Sequence, residues 1–205
     1  MPAQAGTPLI GTFRLAAGDC SGATPTGTYF RMIDPGGTIA TGKYFANPDS
    51  TCADKSITVE QPGTDGGLVT GSFQPDPATP FDAFGNSLSG RILVARSFTA
   101  IKFGISTNPS DPQTHQKVTA PTITLQGNSL SGQITAWSAA WNKLYFNQGS
   151  PKPDGSRPGL TSPVIGTYDA STHAFVLTWA SEVVGGPFNG FTGFWHLQGT
   201  FVAAG

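Results

Sequence analysis

A carboxylate and an imidazole near the carboxyl end could together transfer a proton. Two runs that alternate apolar and polar residues, as strands do, carry Glu182 and His196 on their polar faces. If the intervening turn centres near Pro187 and Phe188, His196 falls opposite Ala180 and diagonal to Glu182, within reach of a carboxylate–imidazole contact. Acid–base catalysis requires that this face line a cavity. The alternative, an exposed cross-strand pair that stabilises by under about 1 kcal/mol, is favoured.

A group of large aromatic side chains is a second candidate site. Segment 133–147 fits a helix or a strand, and the strand is favoured because residues 91–94, at the equivalent place in a repeat, are strand-like. One strand would place the rings of Trp137, Trp141 and Tyr145 on one face. Flat rings stack on sugars, and the loop that follows could orient hydroxyls. The candidate ligand-binding residues are therefore Trp137, Trp141, Tyr145, Asn147, Gln148 and Asp154. Such a group is more often part of the core, and that alternative is favoured.

The glycine-rich segment 185–191 places Phe188 and Phe191 where a hairpin usually carries polar residues. These rings either fold back on the core or form an exposed contact patch. Both alternatives stay open.

Other catalytic motifs are incomplete. Residues 37–43 match the G-x-x-x-x-G-K pattern of phosphate-binding loops, but Tyr44 replaces the Ser or Thr that would bind magnesium. The three histidines lack the spacing of a metal site; they are His115, His173 and His196. We therefore expect no metal, no cofactor and no catalytic residue beyond the acid–base pair.

Composition narrows the class of protein. The 205 residues include 11 Lys plus Arg and 12 Asp plus Glu, a net charge of -1 that excludes a nucleic-acid-binding chain. Gly and Pro supply 27 and 17 residues, and helix formers such as Glu are scarce, so long helices are disfavoured. No apolar run reaches the roughly 18 residues that span a bilayer, which predicts a soluble chain.

The two cysteines, Cys20 and Cys52, are predicted to form a disulfide because both lie in loop-like surroundings. A bond that closes a loop of this length stabilises by about 3 to 4 kcal/mol, and disulfides persist in oxidising compartments. Ala3-Gln4-Ala5 is typical of the site that precedes a signal-peptidase cut. We therefore expect a secreted or cell-surface protein.

Short alternating runs bounded by Gly, Pro, Asn and Asp predict an all-β fold, an antiparallel sandwich or barrel, in a single domain over 1–205. The hexapeptide GNSLSG occurs at 85–90 and again at 127–132, and the residues after both copies stay loosely parallel at a spacing of 42. This pattern indicates an internal duplication of a strand-turn-strand unit. The duplicated units would be 85–126 and 127–168.

The carboxyl third contains WNKLYFNQGSPKPDG at 141–155, GTYDAST at 166–172 and GGPFNGFTGFWHLQGTF at 185–201. With these motifs it resembles an uncharacterised secreted family of actinobacterial type. The resemblance implies secretion and an all-β fold. It brings no activity and no functional residues.

The function expected from these features is that of a secreted or cell-surface, non-enzymatic binding or structural module. Carbohydrate is the preferred ligand class, because aromatics, amides and a near-neutral charge suit it. One alternative is a β-barrel enzyme that uses Glu182 and His196. Another is a barrel carrier of a hydrophobic or haem-like ligand. A glycan or small molecule is thus the expected partner, with no nucleic acid and no membrane span.

Overall fold

The computed structural model describes residues 6–205, so the Ala3-Gln4-Ala5 motif lies outside the described residues. These residues form strands and no helix, which confirms the all-β prediction. Accordingly, none of them belongs to a helix that could cross a membrane. The strands are β1 (Thr7–Pro8), β2 (Gly11–Leu15), β3 (Tyr29–Thr38), β4 (Gly42–Tyr44), β5 (Thr58–Val59), β6 (Gly67–Val69), β7 (Arg96–Phe98), β8 (Ile101–Thr107), β9 (Thr122–Gln126), β10 (Ser129–Gln133), β11 (Trp137–Trp141), β12 (Leu144–Asn147), β13 (Val164–Tyr168), β14 (Ala174–Glu182) and β15 (Thr192–Ala203).

Eleven strands form one antiparallel sheet that curls into a half-barrel. Its main path runs β1-β9-β10-β13-β14-β15-β2-β6. Strand β15 is long enough to serve three neighbours: it pairs with β14 along most of its length, with β3 through residues 192–196 and with β2 through residues 199–203. The sheet therefore divides at β15, and β3 in turn pairs with β4 and β5.

A smaller antiparallel sheet of four strands, in the order β12-β11-β8-β7, packs against the larger one. It consists of two hairpins whose turns, Thr99-Ala100 and Asn142-Lys143, have φ angles of 51° and 69°, and of 51° and 60°. Type I′ turns, a common connection in two-residue hairpins, have positive φ at both turn positions, and Asn adopts it at lower cost than most residues. Segment 133–147 is thus extended rather than helical, but the chain reverses within it.

The core fills the space between the two sheets. In β14, Phe175, Leu177 and Trp179 are buried because alternate residues of a strand face the same side. Trp137, from the smaller sheet, meets Trp179 and Trp195, from the larger one, with ring centroids 5.2 Å apart in both pairs. The three indoles therefore join the two sheets at their centre.

Several elements recur at about the spacing of the two GNSLSG copies. Strands β9 and β13 begin at Thr122 and Val164, which are 42 residues apart, and both pair with β10. The turns of the two hairpins in the smaller sheet begin at Thr99 and Asn142, 43 residues apart. The first hexapeptide lies outside any named strand, whereas the second supplies β10. The duplication stays a prediction.

Cys20 and Cys52 form the predicted disulfide. The bond connects the loop that follows β2 to the loop between β4 and β5, across a sequence separation of 32. Residues 45–57 contain no strand. The disulfide is therefore the covalent anchor of this segment.

Candidate functional site

An apolar pocket lies between the two sheets, and we call it the inter-sheet pocket. It is partly open to solvent and has a cavity volume of about 50 Å³. Its wall is mainly aromatic and draws on both sheets and on the loop after β14. The lining residues are Phe30, Met32, Phe98, Phe103, Ala139, Trp141, Phe146, Gln148, Val183, Phe188 and Trp195.

Strand register explains why aromatic rings converge on the inter-sheet pocket. Phe30 of β3 lies directly opposite Trp195 of β15, and residues paired in this way face the same side of the sheet. Their ring centroids are 4.5 Å apart. Phe103 of the smaller sheet approaches from the other side, with its centroid 5.7 Å from that of Phe30. The two sheets thus supply facing aromatic walls of the pocket.

Residues 183–191, here called the Phe188 loop, cover part of the pocket. Gly185, Gly186 and Gly190 adopt positive φ angles of 82°, 65° and 85°, which lets the chain fold back tightly. The Phe188 ring lies 5.5 Å from Phe98 and 5.6 Å from Trp141, centroid to centroid. Of the two alternatives for this segment, the rings therefore fold back on the core.

The aromatic residues of segment 133–147 do not form one surface stripe. Trp137 is fully buried, and Trp141 is half-buried, with its indole Nε1 donating to the carbonyl oxygens of Phe98 and Ile101 at 2.9 and 3.1 Å. Tyr145 lies opposite Ala140 and so faces away from both tryptophans. The prediction of a single face is wrong, because the turn at 142–143 reverses the chain between Trp141 and Tyr145.

The polar candidates are divided between the interior and the surface. Asn147 is buried, and its Nδ2 donates to Asp111 Oδ1 at 2.9 Å and to the Thr135 carbonyl at 2.7 Å. Gln148 is buried as well. Asp154 is exposed and accepts a hydrogen bond from the Ser156 amide at 2.9 Å, which closes its own turn. The six predicted ligand-binding residues therefore do not converge on one site.

Lys152 is a buried charge that the sequence did not indicate, since a lysine in a proline-rich polar loop is normally solvated. Its Nζ donates to the carbonyl oxygens of Asn147 and Glu182 and to Ser181 Oγ, at 2.7, 2.6 and 2.8 Å. Burial lowers the pKa of Lys152 to about 8, against the opposing effect of nearby carboxylates. All three ammonium protons are engaged, so Lys152 ties its loop to the ends of β12 and β14.

A cleft of about 310 Å³ lies beside this lysine. We call it the polar cleft, because most of its lining residues are polar. Asn147, Lys152 and Asp154 contribute to its wall, together with Gln113 and Ser156. Gln113 is itself engaged: its Nε2 donates to the Val184 carbonyl, and its Oε1 accepts from the Asn147 amide. Most polar groups of the cleft thus already have protein partners.

The predicted Glu182–His196 pair does not form. His196 lies opposite Thr178 rather than Ala180, because the hairpin is centred on Pro187 alone. Glu182 is four residues beyond Thr178, which separates it from His196 by about 13 Å along the strands. The His196 ring stacks on Tyr29 at 4.5 Å between centroids, and burial lowers the pKa of His196.

The three histidines also stay apart from other potential ligands. Across residues 6–205, no three His, Cys, Asp or Glu side chains are grouped so that they could hold a metal ion. His196 Nδ1 lies 3.0 Å from the Gly27 carbonyl oxygen, which accounts for one of its ring nitrogens. His196 is half-buried against Tyr29, at a β15 position that alternates with the core residues Trp195 and Leu197.

Glu60 is another buried ionisable group. It is fully buried, and neither carboxylate oxygen has a hydrogen-bond partner within residues 6–205. Burial raises the pKa of Glu60 well above its ordinary value of 4.5, and the Arg96 guanidinium only partly opposes this. The folded chain therefore holds a proton on Glu60 under conditions in which the unfolded chain releases it.

We expect Glu60→Gln to remove a pH dependence of stability. Because the pKa is raised on folding, the contribution of Glu60 is fully present below about pH 4.5 and is lost as pH rises towards the folded pKa. A neutral carboxamide shows no such loss. The stability of the variant relative to the wild type should therefore increase from pH 4 to pH 8, as measured by urea unfolding across this range.

Glu182→Gln is the matched control, because Glu182 is only half-buried and is the other glutamate of the chain. It shows the effect on the pH profile of replacing a glutamate that is not fully buried. A difference between Glu60→Gln and wild type that stays constant with pH would contradict the assignment.

Comparisons with protein-family models, with curated proteins and with solved structures find no match. The resemblance of the carboxyl third to a secreted actinobacterial family therefore stays a prediction. The inter-sheet pocket and the polar cleft are the two candidate ligand sites of the protein.

Proposed function

We propose that this protein is a secreted, non-enzymatic binding module that takes a small aromatic ligand in the inter-sheet pocket. The observation that carries the proposal is the aromatic wall: seven of the lining residues are Phe or Trp, and the pocket is partly open to solvent. Ligand pockets are typically apolar and aromatic, with few polar groups. This proposal follows the carrier alternative for a hydrophobic ligand.

The size of the inter-sheet pocket limits the ligand. An apolar cavity of about 150 Å³ binds benzene, whereas this pocket measures about 50 Å³. A single ring therefore needs a small displacement of the Phe188 loop, whose glycines allow it. A haem-sized ligand is disfavoured.

Secretion is supported by the Cys20–Cys52 disulfide, because such bonds are rare in reducing compartments. Catalysis is disfavoured, because Glu182 and His196 lie too far apart to form an acid–base pair. The ammonium group of Lys152 is also engaged, since it donates three hydrogen bonds to other parts of the protein.

Carbohydrate is the second candidate ligand. The polar cleft favours it, because Asn147 and Asp154, both selected from the sequence, line that cleft. Most polar groups of the cleft already have hydrogen-bond partners within the protein, so fewer are free to bind a sugar. The aromatic ligand is therefore the first candidate and carbohydrate the second.

Toluene is the probe for the proposed function. In a titration of ¹⁵N-labelled protein followed by NMR, we expect shifts at the Trp195 indole and the Phe103 amide, both at the pocket. Ala139→Leu should weaken binding about tenfold or more, because its longer side chain fills the pocket. Ala174→Leu adds the same atoms at an exposed strand position and should leave binding unchanged.

Absence of saturable shifts up to the solubility limit of toluene would overturn the proposal. Equal binding by a folded Ala139→Leu protein would place the ligand elsewhere and overturn it too. A parallel titration with N-acetylglucosamine tests the second candidate, which predicts shifts at Asn147 and Asp154 instead.

A further inference from the structure

Two polar atoms, on residues that line the inter-sheet pocket, have no hydrogen-bond partner within the described part of the chain. They are the carboxamide oxygen Oε1 of Gln148 and the indole nitrogen Nε1 of Trp195. Gln148 is 3% exposed and Trp195 is 1% exposed, so solvent does not replace the missing partners. Two residues of the pocket lining therefore contain one unpaired acceptor and one unpaired donor.

Both atoms lie on the same side of β15. A Cβ atom placed on Gly193 would lie 2.2 Å from Gln148 Oε1, so the glycine leaves the space that this oxygen occupies. Gly193 and Trp195 are two residues apart on one strand, and such positions face the same side. The acceptor thus reaches the strand face from which the indole projects.

The backbone of Gln148 is held firmly. Its carbonyl oxygen accepts a hydrogen bond from Trp179 Nε1 at 2.9 Å, and its amide donates to the Trp137 carbonyl at 2.9 Å. Its Nε2 contacts the Asn147 carbonyl at 3.4 Å. The unpaired oxygen is therefore presented by a fixed segment, as a specificity-determining group should be.

We propose that the inter-sheet pocket selects an aromatic ligand that bears a hydroxyl group, of the phenol type. This inference rests on the proposed function. A hydroxyl group both donates and accepts, so it can donate to Gln148 Oε1 and accept from Trp195 Nε1. Buried polar atoms left unpaired cost free energy, and a ligand that supplies their partners recovers it. The ring meets the aromatic wall.

Phenol and toluene test this selection, because they have nearly the same size and differ in the hydroxyl group. Dissociation constants for both are measured by NMR on the wild type, Gln148→Leu and Trp195→Phe. Trp195→Phe removes the indole nitrogen but keeps an aromatic ring, and Gln148→Leu replaces the whole carboxamide by an apolar group of similar size. We expect the preference for phenol over toluene, the ratio of the two dissociation constants, to fall about tenfold in each variant, the factor that one hydrogen bond supplies.

Trp137→Phe is the matched control. Trp137 Nε1 is also buried without a partner, but Trp137 does not line the inter-sheet pocket. This variant should leave the affinity for both ligands unchanged. Retained toluene binding shows in each variant that the pocket is still folded.

The outcomes separate the two proposals. If neither ligand binds to the wild type, the proposed function fails, and the inference fails with it. If toluene binds but Gln148→Leu and Trp195→Phe leave phenol affinity unchanged, or weaken phenol and toluene equally, the selection for a hydroxyl is overturned while the proposed function stands.

Discussion

Trp137→Ala should lower the free energy of unfolding by about 3 to 5 kcal/mol, the usual cost of truncating a buried aromatic side chain. Trp137 is fully buried, and its ring packs edge-on against Trp179 and Trp195 at 5.2 Å. Its removal leaves a cavity where the two sheets meet. Urea unfolding monitored by circular dichroism measures the difference.

Phe84→Ala is the control for this experiment, because Phe84 is 80% exposed and buries little surface. It should change stability by less than about 0.5 kcal/mol. A Trp137→Ala protein as stable as the wild type would mean that the indole lies at the surface. In that case the sugar-stacking interpretation of Trp137 would be restored.

Replacing both Cys20 and Cys52 by serine should destabilise the protein by about 3 to 4 kcal/mol. The bond closes a loop with a sequence separation of 32, and its loss restores conformational freedom to the unfolded chain. Reduction of the wild type by dithiothreitol should lower its free energy of unfolding by a similar amount. Both are measured by urea unfolding.

The serine pair provides its own control, because it should be insensitive to dithiothreitol. A wild-type midpoint that is unaffected by reductant, after mass spectrometry has shown that both thiols are free, would contradict this account. The segment 45–57 should show the largest gain in amide exchange, since no strand holds it.

The fold class could be predicted because its signals are local. Alternation of apolar and polar residues marks β14 and β15 directly, and the scarcity of helix formers agrees with the absence of helices from residues 6–205. The disulfide was predictable as well, because Cys20 and Cys52 are the only cysteines and have only each other as intramolecular partners.

The register of paired strands could not be predicted from the local alternation of apolar and polar residues. The β14–β15 hairpin is centred on Pro187, and a shift of the centre by one residue moves every cross-strand partner by two. That shift separates Glu182 from His196. The turn at Asn142-Lys143 had a comparable effect, because it placed Tyr145 on the face opposite Trp141.

The buried polar groups could not be predicted either, because their partners come from distant segments. Lys152 is held by Ser181 and Glu182, about thirty positions further along the chain. Gln148 lies beside Gly193, more than forty positions away. A single sequence contains no local pattern for such contacts, and charged or amide side chains in a polar loop are normally at the surface.

The position of β15 determines the order in which the larger sheet can assemble. This last strand lies inside the sheet, between β14 on one side and the early strands β2 and β3 on the other. Strands β2 and β3 therefore cannot join β14 through β15 until residues 192–203 have left the ribosome. Contacts between residues so far apart in sequence also slow folding. During synthesis, the apolar faces of the early strands therefore stay uncovered. Exposed apolar surface of this kind is prone to aggregation, and chaperones protect it.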